Sequence, residues 1–215
     1  MREQVIQAIL EQKIIAIVRG VDPQNTVKVA KALYEGGIRL VEVTFNQKDP
    51  ASFPETAASI RAIREEMAGK MLVGAGTVTS PELVELAAEA GAEYILAPDT
   101  DVDVIRKTRD LGLVSLPGAY TASEAKQAHN AGADFVKLFP CVEGAPAYLK
   151  ALCAPLSHIR FLAVGGVTAD NAAEFLKAGA VGVGVGGSLV NRKWVEAGEF
   201  HRITEEAKRF IENIQ

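Results

Sequence analysis

Apolar residues in this chain follow two rhythms that take turns. Stretches of helical spacing end at a glycine and give way to short β-branched runs, as in EGGIRLVEV, EAGAEYILA, NAGADFVKL and KAGAVGVGV. Gly37, Gly91, Gly132 and Gly179 each follow a helical pattern, where the backbone commonly needs a positive φ that glycine adopts without steric cost. DLGLVSL around Gly112 is a weaker copy. With the remaining apolar runs, the pattern predicts eight strands: Ile14–Val18, Ile38–Thr44, Met71–Ala75, Glu93–Ala97, Leu113–Leu116, Asp134–Leu138, Arg160–Val164 and Val181–Val185. Helix starts are expected at Ser80-Pro81-Glu82, Thr121-Ala122-Ser123-Glu124 and Thr168-Ala169-Asp170, each with a hydroxyl cap and an acidic residue or Pro nearby. An extra helical stretch precedes the first strand.

Strand–helix alternation with short connections predicts parallel strands and right-handed crossovers. Eight such units close into a (β/α)8 (TIM) barrel, and residues 1–215 read as one domain with no linker or composition break. A doubly wound open sheet is the alternative, but no GxGxxG follows the first strand.

Composition narrows the function classes. With 48% hydrophobic and 23% charged residues, the chain reads as soluble and globular. A net charge of -4 without a Lys/Arg stripe argues against nucleic acid as a partner. No apolar run approaches the roughly 20 residues that cross a bilayer, and the first ten residues lack an apolar signal core. Cys141 and Cys153 have no CxxC spacing, which fits a reduced, cytoplasmic setting. His129, His158 and His201 are scattered among expected elements, so no metal site is expected.

Candidate chemistry lies at strand ends, because active sites of parallel barrels form at the C-terminal ends of the strands. Period-two alternation puts Phe135, Lys137 and Phe139 on one face, leaving Lys137 a lone cation among apolar neighbours. One reading is an ammonium that snorkels to water. The other is an amine whose pKa is lowered by burial, able to attack a ketone and form an iminium. On strand two, Leu40, Glu42 and Thr44 share a face. The β-branched face should pack on helices, leaving Glu42 inside the barrel with Thr44 beside it in the pocket. A buried carboxylate suits general acid–base work near neutral pH, or it simply neutralises Lys137; the two roles are compatible. Arg19 ends strand one, where a guanidinium can hold a carboxylate or make a surface ion pair. Gly74-Ala75-Gly76-Thr77 offers backbone N–H groups and a hydroxyl for the same carboxylate, or is a tight turn. Gly165-Gly166 and Gly186-Gly187-Ser188 follow strands seven and eight, the usual phosphate-binding place in these barrels.

These residues resemble the 2-keto-3-deoxy-6-phosphogluconate/4-hydroxy-2-oxoglutarate aldolase family over essentially the whole chain. The matching pieces are IIAIVRG, GGIRLVEVTF, VGAGTV, LPGAYTASEA, FVKLFP and VGGVTADN followed by GVGVGGSLV. The resemblance implies a class I aldolase with Schiff-base Lys137 and proton-transferring Glu42. It implies carboxylate contacts from Arg19 and Thr77, and a pocket wall from Pro117 and Phe139. Phosphate contacts are implied at Gly165, Gly166, Gly187 and Ser188. It further implies a homotrimer that needs no metal or organic cofactor. Its substrates would be a keto acid and a phosphorylated aldehyde. The expected reaction is cleavage of 2-dehydro-3-deoxy-6-phosphogluconate to pyruvate and glyceraldehyde 3-phosphate, with 4-hydroxy-2-oxoglutarate as a further substrate. Two departures stand out. Val164 occupies a place where many phosphogluconate-type members carry Thr, and Thr44-Phe45-Asn46-Gln47 replaces Thr-Leu-Arg-Thr. Both look more like the 6-phosphogalactonate branch, whose epimeric substrate is the alternative. A phosphate-binding isomerase or synthase barrel, or a non-catalytic phosphometabolite-binding barrel, would share the glycine turns without needing Lys137.

Overall fold

The computed structural model describes residues 2–214. Its strands are β1 (Ile14–Val18), β2 (Leu40–Thr44), β3 (Leu72–Gly76), β4 (Tyr94–Leu96), β5 (Val114–Leu116), β6 (Gly118–Ala119), β7 (Val136–Leu138), β8 (Phe161–Val164) and β9 (Gly182–Val185). They form one sheet in the order β5-β4-β3-β2-β1-β9-β8-β7-β6, and every pairing is parallel. The two ends of that order are consecutive in the chain, with Pro117 alone between them. β5 bonds to β4 and β6 bonds to β7, so this one segment closes the ring into a TIM barrel.

The fifth expected strand is therefore two short ones, and nine strands fill eight barrel positions. Proline is the physical reason, because its ring nitrogen has no hydrogen to donate to a ladder. Its carbonyl still accepts the Lys137 N–H at 2.8 Å, which carries the pairing across the break. Several other strands begin one or two residues later than the pattern predicts. β7 starts at Val136 rather than Asp134, whose carboxylate instead accepts the Ser115 N–H at 3.0 Å.

The helices are α1 (Arg2–Gln12), α2 (Pro23–Glu35), α3 (Phe53–Glu66), α4 (Pro81–Glu89), α5 (Val102–Asp110), α6 (Ala122–Ala131), α7 (Ala145–Cys153), α8 (Ala172–Lys177), α9 (Arg192–Glu196) and α10 (Phe200–Ile214). The repeated glycine stop behaves as the pattern predicts: Gly37, Gly91, Gly132 and Gly179 have φ of 98°, 91°, 105° and 112°. Ser80 caps α4 by accepting from Leu83 N, and Thr121 with Glu124 forms a reciprocal capping box on α6. Each such cap contributes about 1 kcal/mol. The third expected start is displaced. α8 begins after Asn171 instead of at Thr168, and the Asn171 side chain bonds back to Thr168 N at 2.8 Å and Gly166 O at 3.0 Å.

Two apolar layers result. Outward strand residues such as Val41, Val43, Val73 and Val183 pack against helix residues such as Val29, Leu33 and Ile60. Inside the barrel, Ile15, Leu40, Tyr94, Phe135 and Leu162 pack with Val5, Ile6 and Ile9 of α1. The extra N-terminal helix thus plugs the N-terminal end of the barrel. Each of its large buried side chains contributes about 1.5–3 kcal/mol. Polar chemistry is left to the other end.

Candidate active site

Inward positions change character along the strands. On β2, Leu40 belongs to the interior cluster, and Glu42, next on that face, is 1% exposed. Phe135, just before β7, is followed on the same face by Lys137, which is 5% exposed. Burial raises the Glu42 pKa from 4.5 to about 7, against the opposing pull of Lys137 and Arg19. Burial also lowers the Lys137 pKa; the nearby Arg19 guanidinium acts the same way, while Glu42 and Asp99 oppose it. One carboxylate oxygen, Glu42 Oε2, is buried without a hydrogen-bond partner. The pair therefore combines an acid poised near neutrality with an amine pushed toward its nucleophilic form.

A cavity of about 390 Å³ opens at this end of the barrel, lined by Arg19, Lys137, Phe139, Val164 and the two glycine turns through Ser188. Lys137 Nζ stands 4.5 Å from the centre of the Phe139 ring. Gly165 and Gly166 have φ of 91° and 70°, and a Cβ on Gly166 would collide with the Cys141 carbonyl. The Gly166, Gly187 and Ser188 N–H groups donate to no backbone acceptor, leaving three donors for an anion among the described residues. The Ser188 hydroxyl donates to Val167 O at 2.7 Å, tying the two turns together. Other hollows are as roomy. One of about 460 Å³ lies beside α1 and holds Arg64 and Glu93 rather than the Lys137–Glu42 pair.

Arg19 Nη2 donates to Thr77 Oγ1 at 3.1 Å. Thr77 sits in the left-handed region at φ 57°, a conformation that costs a non-glycine residue of order 1–3 kcal/mol and clusters at functional sites. Glu42, Thr44, Thr77 and Pro117 do not line the 390 Å³ cavity itself. Thr44 is buried, with its hydroxyl 3.4 Å from Val18 O, and it lines a small neighbouring hollow on the helix side.

The sequence reading missed two participants. Gln47 Nε2 donates to Thr77 O at 2.9 Å and braces the strained turn. Asp99, just past β4, feels the charge of Lys137. The strand-end rule that selected Arg19 would have selected Asp99 as well. His129 and His158, far apart in the sequence, meet edge to face with ring centres 4.9 Å apart. No group of three or more potential metal ligands occurs among the described residues. None of the described helices is long and apolar enough to cross a membrane.

Residues 5–206 match the family model described as KDPG and KHG aldolase. The chain is 40% identical over 177 residues to the 2-dehydro-3-deoxy-6-phosphogalactonate aldolase of Escherichia coli (strain K12), covering 82% of this chain and 83% of that protein. It is 32% identical over 194 residues to the KHG/KDPG aldolase of the same organism, covering 89% and 87%. A solved structure described as native KDPGal superposes with a TM-score of 0.82 at 37% identity, covering 93% of both chains.

Proposed function

The chain belongs to the KDPG and KHG aldolase family, whose members are carbon–carbon lyases, and from that footing we propose that it cleaves a 2-dehydro-3-deoxy-6-phospho sugar acid to pyruvate and glyceraldehyde 3-phosphate. The observation that carries this reading is a lysine 5% exposed beside an anion-ready cavity, with a carboxyl of pKa about 7 in the same barrel interior.

The neutral Lys137 amine attacks the C2 ketone, and loss of water gives the iminium. Glu42 accepts the proton of the C4 hydroxyl as the C3–C4 bond breaks. The bonding pair moves into the iminium to form an enamine, and the aldehyde leaves. Protonation of the enamine carbon and hydrolysis return Lys137 and release pyruvate. Arg19 and Thr77 hold the substrate carboxylate end, and the Gly165-Gly166 and Gly187-Ser188 turns hold the phosphate. Neither metal nor organic cofactor enters these steps.

The sequence reading put the gluconate epimer first. Val164 on the cavity wall offers no hydroxyl, and the 40%-identical relative is named for the galactonate epimer. Both favour 2-dehydro-3-deoxy-6-phosphogalactonate as the preferred substrate. A pyruvate-release assay across both epimers and 4-hydroxy-2-oxoglutarate tests this. Fastest release from the galactonate epimer is expected. Release from the gluconate epimer alone overturns the epimer assignment, and no pyruvate from any of the three overturns the aldolase reading.

A further inference from the structure

Strand β3 carries two glycines, Gly74 and Gly76, whose backbone gives no reason for them. Neither has a positive φ, and both are paired in a parallel ladder, Gly74 within β3 and Gly76 as its last residue. Glycine weakens a strand because it loses more backbone freedom and has no side chain to pack, so another requirement holds them there. That requirement is space. A Cβ on Gly74 would overlap the ring of Tyr94, which is fully buried and donates its hydroxyl to Val41 O at 2.7 Å. A Cβ on Gly76 would collide with Glu42 Oε1, would come within 2.7 Å of Glu42 Cδ, and would come within 2.9 Å of Thr44 Cγ2.

We infer that Gly76 is a positioning residue for the Glu42 carboxylate: the absent side chain leaves the recess in which that carboxylate lies, and any larger residue moves the acid away from its working place. The inference rests on the proposed role of Glu42 as the proton-transfer group.

The geometry also says how the molecule would respond to Gly76→Ala. The atoms that the new methyl strikes hardest are the far end of a flexible side chain, not backbone. Yielding is therefore easy for the fold and harmful to the chemistry. The position tolerates an L-residue backbone, so strand pairing should persist. A general acid–base group contributes about 10²–10⁴-fold, and that contribution depends on hydrogen-bond reach to the proton transferred.

A double-mutant cycle over Gly76→Ala, Glu42→Gln and their combination separates this from a packing role. Gly76→Ala alone should lower kcat by about a hundredfold with little change in melting temperature. In the Glu42→Gln background the same change should cost less than about threefold, because the displaced group is already gone. Equal losses in both backgrounds would overturn the inference, as would parent-like turnover or a collapse of the fold in Gly76→Ala. If Glu42→Gln itself turns over like the parent, the proposed function of Glu42 fails instead, and the cycle reports that separately.

Discussion

Lys137 Nζ rests 4.5 Å from the centre of the Phe139 ring, two residues along the chain. A cation–π contact of this kind favours the charged ammonium, by about 2 kcal/mol or more when desolvated. Burial works the other way, because an ammonium loses its hydration among apolar side chains. The Lys137 pKa is lowered, first by burial and also by the nearby Arg19 guanidinium, against the pull of Glu42 and Asp99.

If that amine is the nucleophile, borohydride in the presence of pyruvate should leave a reduced three-carbon adduct on the protein. Peptide mapping should find it on Lys137, and Lys137→Ala should neither trap pyruvate nor turn over. An adduct confined to Lys126 or Lys150 would defeat the mechanism.

Glu42 makes a pH prediction for stability as well as rate. Folding raises its pKa from 4.5 to about 7, so the folded state retains a proton that the unfolded chain releases between those values. Its contribution to stability is whole below the unfolded pKa and is lost as pH rises through about 7, on the order of 3 kcal/mol in all. Between about pH 5 and about pH 8, the parent's melting temperature should fall several degrees more than that of Glu42→Gln. Parallel melting curves across that range would contradict the buried, protonatable carboxyl. Turnover of Glu42→Gln should drop about 10²–10⁴-fold, and the ionisation near neutral pH should vanish from its rate profile.

Ser188 presents a different expectation from a free hydroxyl. Its proton is already given to Val167 O at 2.7 Å, so binding a phosphate exchanges one acceptor for another. Ser188→Ala should lower kcat/KM for a 6-phosphorylated substrate by about tenfold, the scale of a single hydrogen bond. Pyruvate release from 4-hydroxy-2-oxoglutarate, which has no phosphate, should change little. Equal losses on both substrates would make the hydroxyl a structural tie between the two turns. No loss on either would leave the phosphate to the backbone N–H groups of the turns, without the hydroxyl.

Much of this molecule was legible in local pattern. Period two along LVEVT and DFVKL put Glu42 and Lys137 on inward faces, and the glycine stops marked helix ends, because both signals arise within a few residues of chain. The (β/α)8 class followed from the same alternation, since parallel strands with helical crossovers have few ways to bury both faces. What the sequence could not decide depends on groups distant in the chain but touching in space. Pro117 could be read as a wall residue, but only barrel closure made it the join between β5 and β6. Gln47 became a brace because it reaches Thr77 O, 30 positions away. His129 of α6 and His158 before β8 met only in the folded chain. The two glycines of β3 are the clearest case. Alone they read as carboxylate-binding backbone or a tight turn; only the Tyr94 ring and the Glu42 carboxylate, packed against them from neighbouring strands, make them a recess.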